Sequence, residues 1–244
     1  MWRWLHQYAS ARQFYSTSGR WLPWLGLLCL VLIGYGLIGG LYLAPPDFQQ
    51  GQGYRIIYVH VPVAFLSLSI YVFMAVTALI GFIWKTKLAH MSVKVTAPIG
   101  AWFTFLALVT GSLWGKPMWG TYWVWDARLT SELILLFLYL GVIGLHQAIM
   151  DRKQADKAAG LLAIVGVINV PIIHYSVYWW NTLHQGDSIN FFGKTTIATS
   201  MLHPLMAMIV GFSALFLILF IVNMRSEILL REAKTTWVKE LISI

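Results

Sequence analysis

Between Trp114 and Arg128 the chain reads WGKPMWGTYWVWDAR. Four indoles, Trp114, Trp119, Trp123 and Trp125, share this stretch with an acid, Asp126, and two bases, Lys116 and Arg128. Upstream, YRIIYVHVP carries Arg55 and His60; downstream, HYSVYWWNTLHQGDS carries His184 behind Trp179 and Trp180. Indole rings stack on flat apolar faces. Imidazole is a common metal ligand, and guanidinium meets carboxylate as a planar fork. Together these side chains have the chemistry to hold a planar, metal-bearing ligand with acidic arms. Whether they can meet depends on the elements that carry them.

Those elements are apolar. Of 244 residues 59% are hydrophobic and only 11% charged, whereas soluble domains are about a quarter charged. Six apolar runs stand out, at about 21–43, 61–84, 95–113, 129–150, 158–176 and 200–224. Each is long enough to cross a bilayer, and only a helix satisfies its own backbone there. The expected fold is an all-α integral membrane protein, one six-helix domain over residues 1–244, with a tryptophan loop at 114–128. Trp21–Leu43 is too long for a signal-peptide core and reads as a retained span. The single Cys29 precludes an intrachain disulfide and any Cys-based metal site.

The net charge of +8 would suit nucleic acid, but the bases sit at the ends of apolar runs. An even number of spans puts both termini on one side. That side carries Arg3, Arg12, Arg20, Lys85, Lys87, Lys94, Arg152, Lys153, Lys157, Arg225, Arg231, Lys234 and Lys239. The other side carries only Arg55, Lys116, Arg128 and Lys194. Lys and Arg concentrate in cytoplasmic loops. Both termini are therefore expected in the cytoplasm, and the tryptophan loop, with loops 44–60 and 177–199, outside.

Trp and Tyr gather at membrane interfaces for reasons of their own, which accounts for Trp21, Trp24 and Trp84. It accounts less well for six of thirteen tryptophans in two outer loops. Haem has the matching surface: a flat macrocycle, an iron with axial positions and two propionates. Tryptophans would face the ring, His60 and His184 the iron, and Arg55 and Arg128 the propionates. His174 and His203 also lie toward outer span ends and stay open as ligands; His6, His90 and His146 fall near the other side. Pro62 suits a first helical turn, so His60 is expected just before a helix. Asp126 can instead cap the fourth helix or pair with Arg128. Glu132, an acid inside a span, is one turn from the interface and can reach water. The tail from Arg225 to Ile244 suits an amphipathic helix or a solvated segment.

WGKPMWGTYWVWDARLTSELILLFLYLG resembles the WWD motif of the haem-handling proteins of cytochrome c biogenesis. With six spans, His60 before Pro62 and His184 after the fifth span, the whole chain is similar to the CcmC family, haem exporter protein C of bacterial cytochrome c maturation. The resemblance implies haem b held at the periplasmic face of the inner membrane, between the WWD loop and two external histidines. These fall on His60 and His184, ahead of His174 and His203. It carries Trp114, Trp119, Trp123, Trp125 and Asp126 over as motif residues. It implies delivery to the haem chaperone CcmE, and work alongside CcmA, CcmB and the small membrane protein CcmD, with any ATP use in those partners.

The residues show no acid–base dyad and no nucleotide-binding glycine loop, so a haem-handling protein is expected rather than an enzyme. The alternative is a b-type cytochrome with quinone redox activity, which places paired histidines within its spans. A solute channel is less well served, because the span interiors are nearly all apolar.

Overall fold

The structure, a computed structural model, describes residues 10–180, 182–184 and 197–243. Among these, six helical stretches are long and apolar enough to cross a membrane, and no strand is present. The first crossing is α1 (Ala11–Ser18) and α2 (Leu22–Ile38), joined by a 3-10 turn and closed by a π-helical turn at Gly39–Leu43. The next three are α3 (Ile57–Trp84), α4 (Lys87–Trp119) and α5 (Ala127–Ala148). The fifth is split into α6 (Arg152–Gly166) and α7 (Asn169–Trp179). α8 (Thr199–Arg231) is the sixth crossing, and α9 (Thr236–Ile242) is a short terminal helix.

α3 and α4 pair along their lengths and form the centre, flanked by α5, α6 and α8; α2 packs on α8. The middle of the bundle is tied by buried tyrosines. Tyr71 and Tyr139 meet edge to face at 4.9 Å. The Tyr139 hydroxyl donates to the Ser67 carbonyl at 2.8 Å, and Ser67 Oγ donates to Glu132 at 2.7 Å. Glu132 is thus a brace from α5 to α3 rather than a group reaching for water.

Several boundaries differ from expectation: α4 starts at Lys87 rather than 95, α6 at Arg152 rather than 158, and α8 ends at Arg231 rather than 224. Three further differences have a local reason. α4 does not stop at 113 but runs through Trp119. Pro117 does not end it; Gly120 does, with φ +78 and its N–H on the Lys116 carbonyl at 3.0 Å, a left-handed cap that glycine takes without strain. The fifth crossing breaks at Val167–Ile168 because Pro171 has no N–H to give the Val167 carbonyl; the Val170 N–H takes that acceptor at 3.0 Å. A 3-10 turn at Gln52–Ile56 leads directly into α3, so His60 lies in the first turn of that helix instead of before it.

At the end where the bases gather, four helices are joined by a buried ionic network. Arg231 grips Asp156 with two bonds, at 2.6 and 2.9 Å, and its Nε donates to Glu227 at 2.6 Å. Lys94 reaches both Glu227 oxygens at 2.8 and 2.9 Å. His146 Nε2 lies 3.4 Å from Asp156. The tail folds back here: Trp237 packs on Tyr15 at 5.7 Å, and Arg225 lies over the Tyr15 ring at 3.9 Å and donates to the Tyr15 carbonyl.

Removing one partner of a buried ion pair strands the other in a poor solvent. Arg231→Leu is expected to cost about 3–5 kcal/mol and lower the unfolding midpoint of the detergent-solubilised protein. Lys153→Gln, on an exposed residue, should stay within about 0.5 kcal/mol.

Candidate functional site

The opposite end holds the tryptophans. His60, half-buried, points across to α4, where its Nδ1 lies 3.0 Å from Thr110 Oγ1. The Thr110 hydroxyl already spends its proton on the Leu106 carbonyl at 2.6 Å, so toward the ring it can only accept. The Nδ1–H must therefore be the donor, and Nε2 carries the lone pair. A hydrogen bond from one ring nitrogen sets which nitrogen is left for a metal. Gly111 makes the approach possible: a Cβ there would sit 3.0 Å from His60 Cε1.

Each imidazole has its own indole. Trp114 meets His60 edge-on at 5.6 Å, and its Nε1 is held by Gln50 at 2.9 Å. Trp119 meets His184 at 6.3 Å, tilted. His60 is within electrostatic reach of both His184 and Arg128, which places the two histidines at the same end. The residues on either side of 182–184 lie outside the described set, including Lys194 and most of the loop 177–199. His174 and His203 are both exposed on the outer surface of the bundle; His174 packs on Tyr175 at 4.7 Å.

The four tryptophans do not share one surface. Trp114 and Trp119 both lie on the last turns of α4, about 140° apart around the helix, Trp114 against His60 and Trp119 against His184. Trp123 and Trp125 pack on each other at 5.4 Å after the chain turns at Gly120. They head an almost wholly apolar groove of about 610 Å³ that runs down between α4 and α5 past Val109 and Leu113. On α4, Val109 and Leu113 lie on the other side of the helix from the face that meets His60.

Asp126 caps α5: one oxygen accepts from the Leu129 N–H at 2.8 Å, which both the cap geometry and the helix dipole favour. Its other oxygen and Trp123 Nε1 are buried, and neither has a hydrogen-bond partner among the described residues. Arg128, in the first turn, lies 3.5 Å from the Ile173 carbonyl beyond the break in the fifth crossing. Asn169, at that break, donates to the Ser131 carbonyl at 2.9 Å and so docks α7 under the arginine. Arg55 is engaged with backbone: it donates to the carbonyls of Gly40 and Ala44, the latter at 2.8 Å, and to Gln52. It thereby satisfies carbonyls that the end of the first span leaves without helical partners.

Reasoning from sequence missed Thr110, Gly111 and Gln50. The signal for the first was available: Thr110 and Trp114 are one helical turn apart, so any side chain meeting one can meet the other.

The fold and this end together define a multi-pass α-helical membrane protein with two imidazoles set among indoles at one rim. The profile of the family described as CcmC, Heme exporter protein C, matches residues 4–239. A protein named Heme exporter protein C from Haemophilus influenzae is 53% identical over 241 residues, covering 99% of this chain and 98% of its own. The protein of the same name from Escherichia coli strain K12 is 54% identical over 242 residues, with the same coverage. One from Bradyrhizobium diazoefficiens is 47% identical over 227 residues, covering 93% of this chain and 86% of its own. The chain belongs to the CcmC family.

The Thr110 geometry has a direct readout. In ¹⁵N spectra of histidine-labelled protein, His60 should show the Nδ1–H tautomer. Thr110→Val should shift the population toward Nε2–H, and Thr110→Ser should restore it.

Proposed function

We propose that this chain holds haem b as cargo at the tryptophan-rich rim and hands it to the haem chaperone CcmE in cytochrome c biogenesis. The observation that carries the reading is the paired setting of His60 and His184, each against an indole of one motif. Two imidazoles are too few to hold a bare metal ion, and no cluster of three or more His, Cys, Asp or Glu suited to one occurs among the described residues. Two are enough for haem, whose macrocycle supplies four nitrogens and leaves two axial positions. The proposed ligands are His60 through Nε2 and His184.

The remaining residues have parts that follow from their contacts. Trp114 and Trp119 flank the imidazoles and would bury the ring's apolar faces. Trp123 and Trp125 would extend that apolar surface toward the groove. The orphaned Trp123 N–H and Asp126 oxygen are a donor and an acceptor that a polar edge of the cargo or the chaperone can satisfy. Arg128, half-buried near His60, is the first choice for a propionate. Arg55, bound to the Gly40 and Ala44 carbonyls, steadies the rim and contributes to propionate recognition at most from its edge. The protein's contribution to transfer is position: presenting one edge of a clasped planar cargo removes much of the entropy of a bimolecular encounter.

The charge asymmetry supports an orientation with the basic end in the cytoplasm and the tryptophan rim in the periplasm, in a bacterial inner membrane. On this reading the chain is a platform, not an enzyme, and CcmA, CcmB and CcmD are its membrane partners. The b-type cytochrome alternative requires histidines stacked through the spans; here His60 and His184 share one end, while His146 belongs to the ionic network at the other.

His60→Ala and His184→Ala should each change the Soret and α-band positions of the purified haem complex and reduce covalent loading of the chaperone. Unchanged spectra in both variants would remove these residues as ligands. Arg128→Ala should lower haem retention while leaving band positions as in the wild type, because it does not touch the iron. More than one haem per chain would favour the cytochrome.

A further inference from the structure

The basic end contains a cavity that the proposed function does not use. It encloses about 210 Å³ between α4, α5, α6 and α8, and Lys94, His146, Arg152, Asp156 and Arg231 line it. Three of these five are permanent cations, against one carboxylate. Glu227 stands behind Lys94 and Arg231 and offsets a second charge, which leaves a surplus of one positive charge at the cavity. That surplus is Arg152, which forms no ion pair among the described residues.

Donors remain after the internal network is satisfied. A guanidinium has five N–H groups and an ammonium three. Arg231 commits three and Lys94 two. Arg231 is held rigidly by its two-bonded grip on Asp156, so its remaining donors are fixed in direction. Lys94 is 41% exposed and can turn its third N–H inward. The cavity therefore presents fixed donors on Arg231, a turnable one on Lys94 and an exposed arginine, Arg152, on a third helix.

The size selects the ligand. Pockets for drug-sized molecules run to roughly 300–1,000 Å³, so a macrocycle does not fit, whereas a tetrahedral oxyanion does. The surroundings narrow it further. The cavity lies at the ends of membrane-crossing helices, and its rim includes Ile149 and Met150, the latter 95% exposed. An apolar rim beside a cationic cup matches an oxyanion with an acyl chain attached. Basic pockets between spans on the cytoplasmic side are where anionic lipid headgroups bind.

We propose that this cavity is a phosphate site, built to take the headgroup phosphate of an anionic phospholipid from the adjacent leaflet; phosphatidylcholine carries the same phosphodiester, but its quaternary ammonium adds a second cation that the cavity's surplus positive charge repels. Free phosphate has the same oxyanion chemistry and is the other source to separate. The site lies at the far end from the tryptophan rim, so its occupancy can be measured without haem and its failure leaves the haem reading untouched.

The test uses the full chain, delipidated and placed in nanodiscs of phosphatidylcholine alone or of equal parts phosphatidylcholine and phosphatidylglycerol. Native mass spectrometry reads retained lipid, and the unfolding midpoint reads stabilisation. Wild type should retain phosphatidylglycerol in preference to phosphatidylcholine. Arg152→Gln should reduce that preference by about fivefold, whereas Lys153→Gln, which does not line the cavity, should leave it unchanged. Arg152 makes no internal ion pair, so its variant should keep the wild-type midpoint in phosphatidylcholine alone. Stabilisation by inorganic phosphate in phosphatidylcholine discs, lost in Arg152→Gln, would support the phosphate site and assign a soluble source. Equal retention of both lipids together with no effect of phosphate would overturn the proposal. So would an equal loss of preference in the Lys153 control.

Discussion

A hydrocarbon interior supplies no hydrogen bonds, so every polar group carried into it must arrive with its partner or lie at an end. This constraint organises the whole molecule. Where polar side chains enter the middle, they are chained together: Tyr139 to Ser67, Ser67 to Glu132, Asn169 to the Ser131 carbonyl. The charged side chains outside this chain of bonds lie, among the described residues, toward one of two rims. One rim is ionic, joining Lys94, Glu227, Arg231, Asp156 and His146. The other is aromatic and carries the imidazoles. The separation is a consequence of solvation before it is one of function, and among the described residues it leaves the aromatic rim with two acids, Asp47 and Asp126, each accepting from backbone N–H groups.

At that rim, precision comes from neighbours of low chemical reactivity. Thr110 settles which nitrogen of His60 is basic, and it can do so only because its own proton is bound to Leu106. Gly111 admits the ring, and Gln50 holds the indole beside it. The proline break in the fifth crossing lets α7 dock beneath Arg128. A site on rigid helices and short caps needs few residues to define an orientation, provided each has a single arrangement that satisfies its hydrogen bonds.

The crossings and the crowding of indoles were legible in the sequence, because hydropathy and composition are local properties, and so was the placing of His60 toward the end that carries Trp114. Each of the six runs falls on one crossing, but α4 starts at Lys87 and ends at Trp119 where 95–113 was expected, and α8 runs on to Arg231 past 224; the cap by Asp126 was among the readings offered. What escaped is long-range. The bond between His60 and Thr110 spans 50 positions, that between Arg231 and Asp156 spans 75, and that between Lys94 and Glu227 spans 133. Such pairings depend on which face of each helix meets its neighbour, and a run of apolar residues on all sides carries little record of facing. The same limit explains why the four tryptophans read as one platform: Trp114 and Trp119 stand about 140° apart around α4, and the left-handed turn at Gly120 carries Trp123 and Trp125 off the helix altogether. Arg55 read as a ligand-binding base because nothing in its own segment shows that the carbonyls of Gly40 and Ala44 stand open beside it.

The length of α4 has a consequence of its own. Its 33 residues extend about 50 Å at 1.5 Å each, against a hydrocarbon layer of about 30 Å. Tilt absorbs part of the difference, and the rest is overhang. That overhang is shared between the end at Lys87 and the end bearing Trp114 and Trp119; whatever emerges at the second end would lift those rings toward water. Shortening the helix by one turn at that end would draw those rings about 5 Å toward the acyl region.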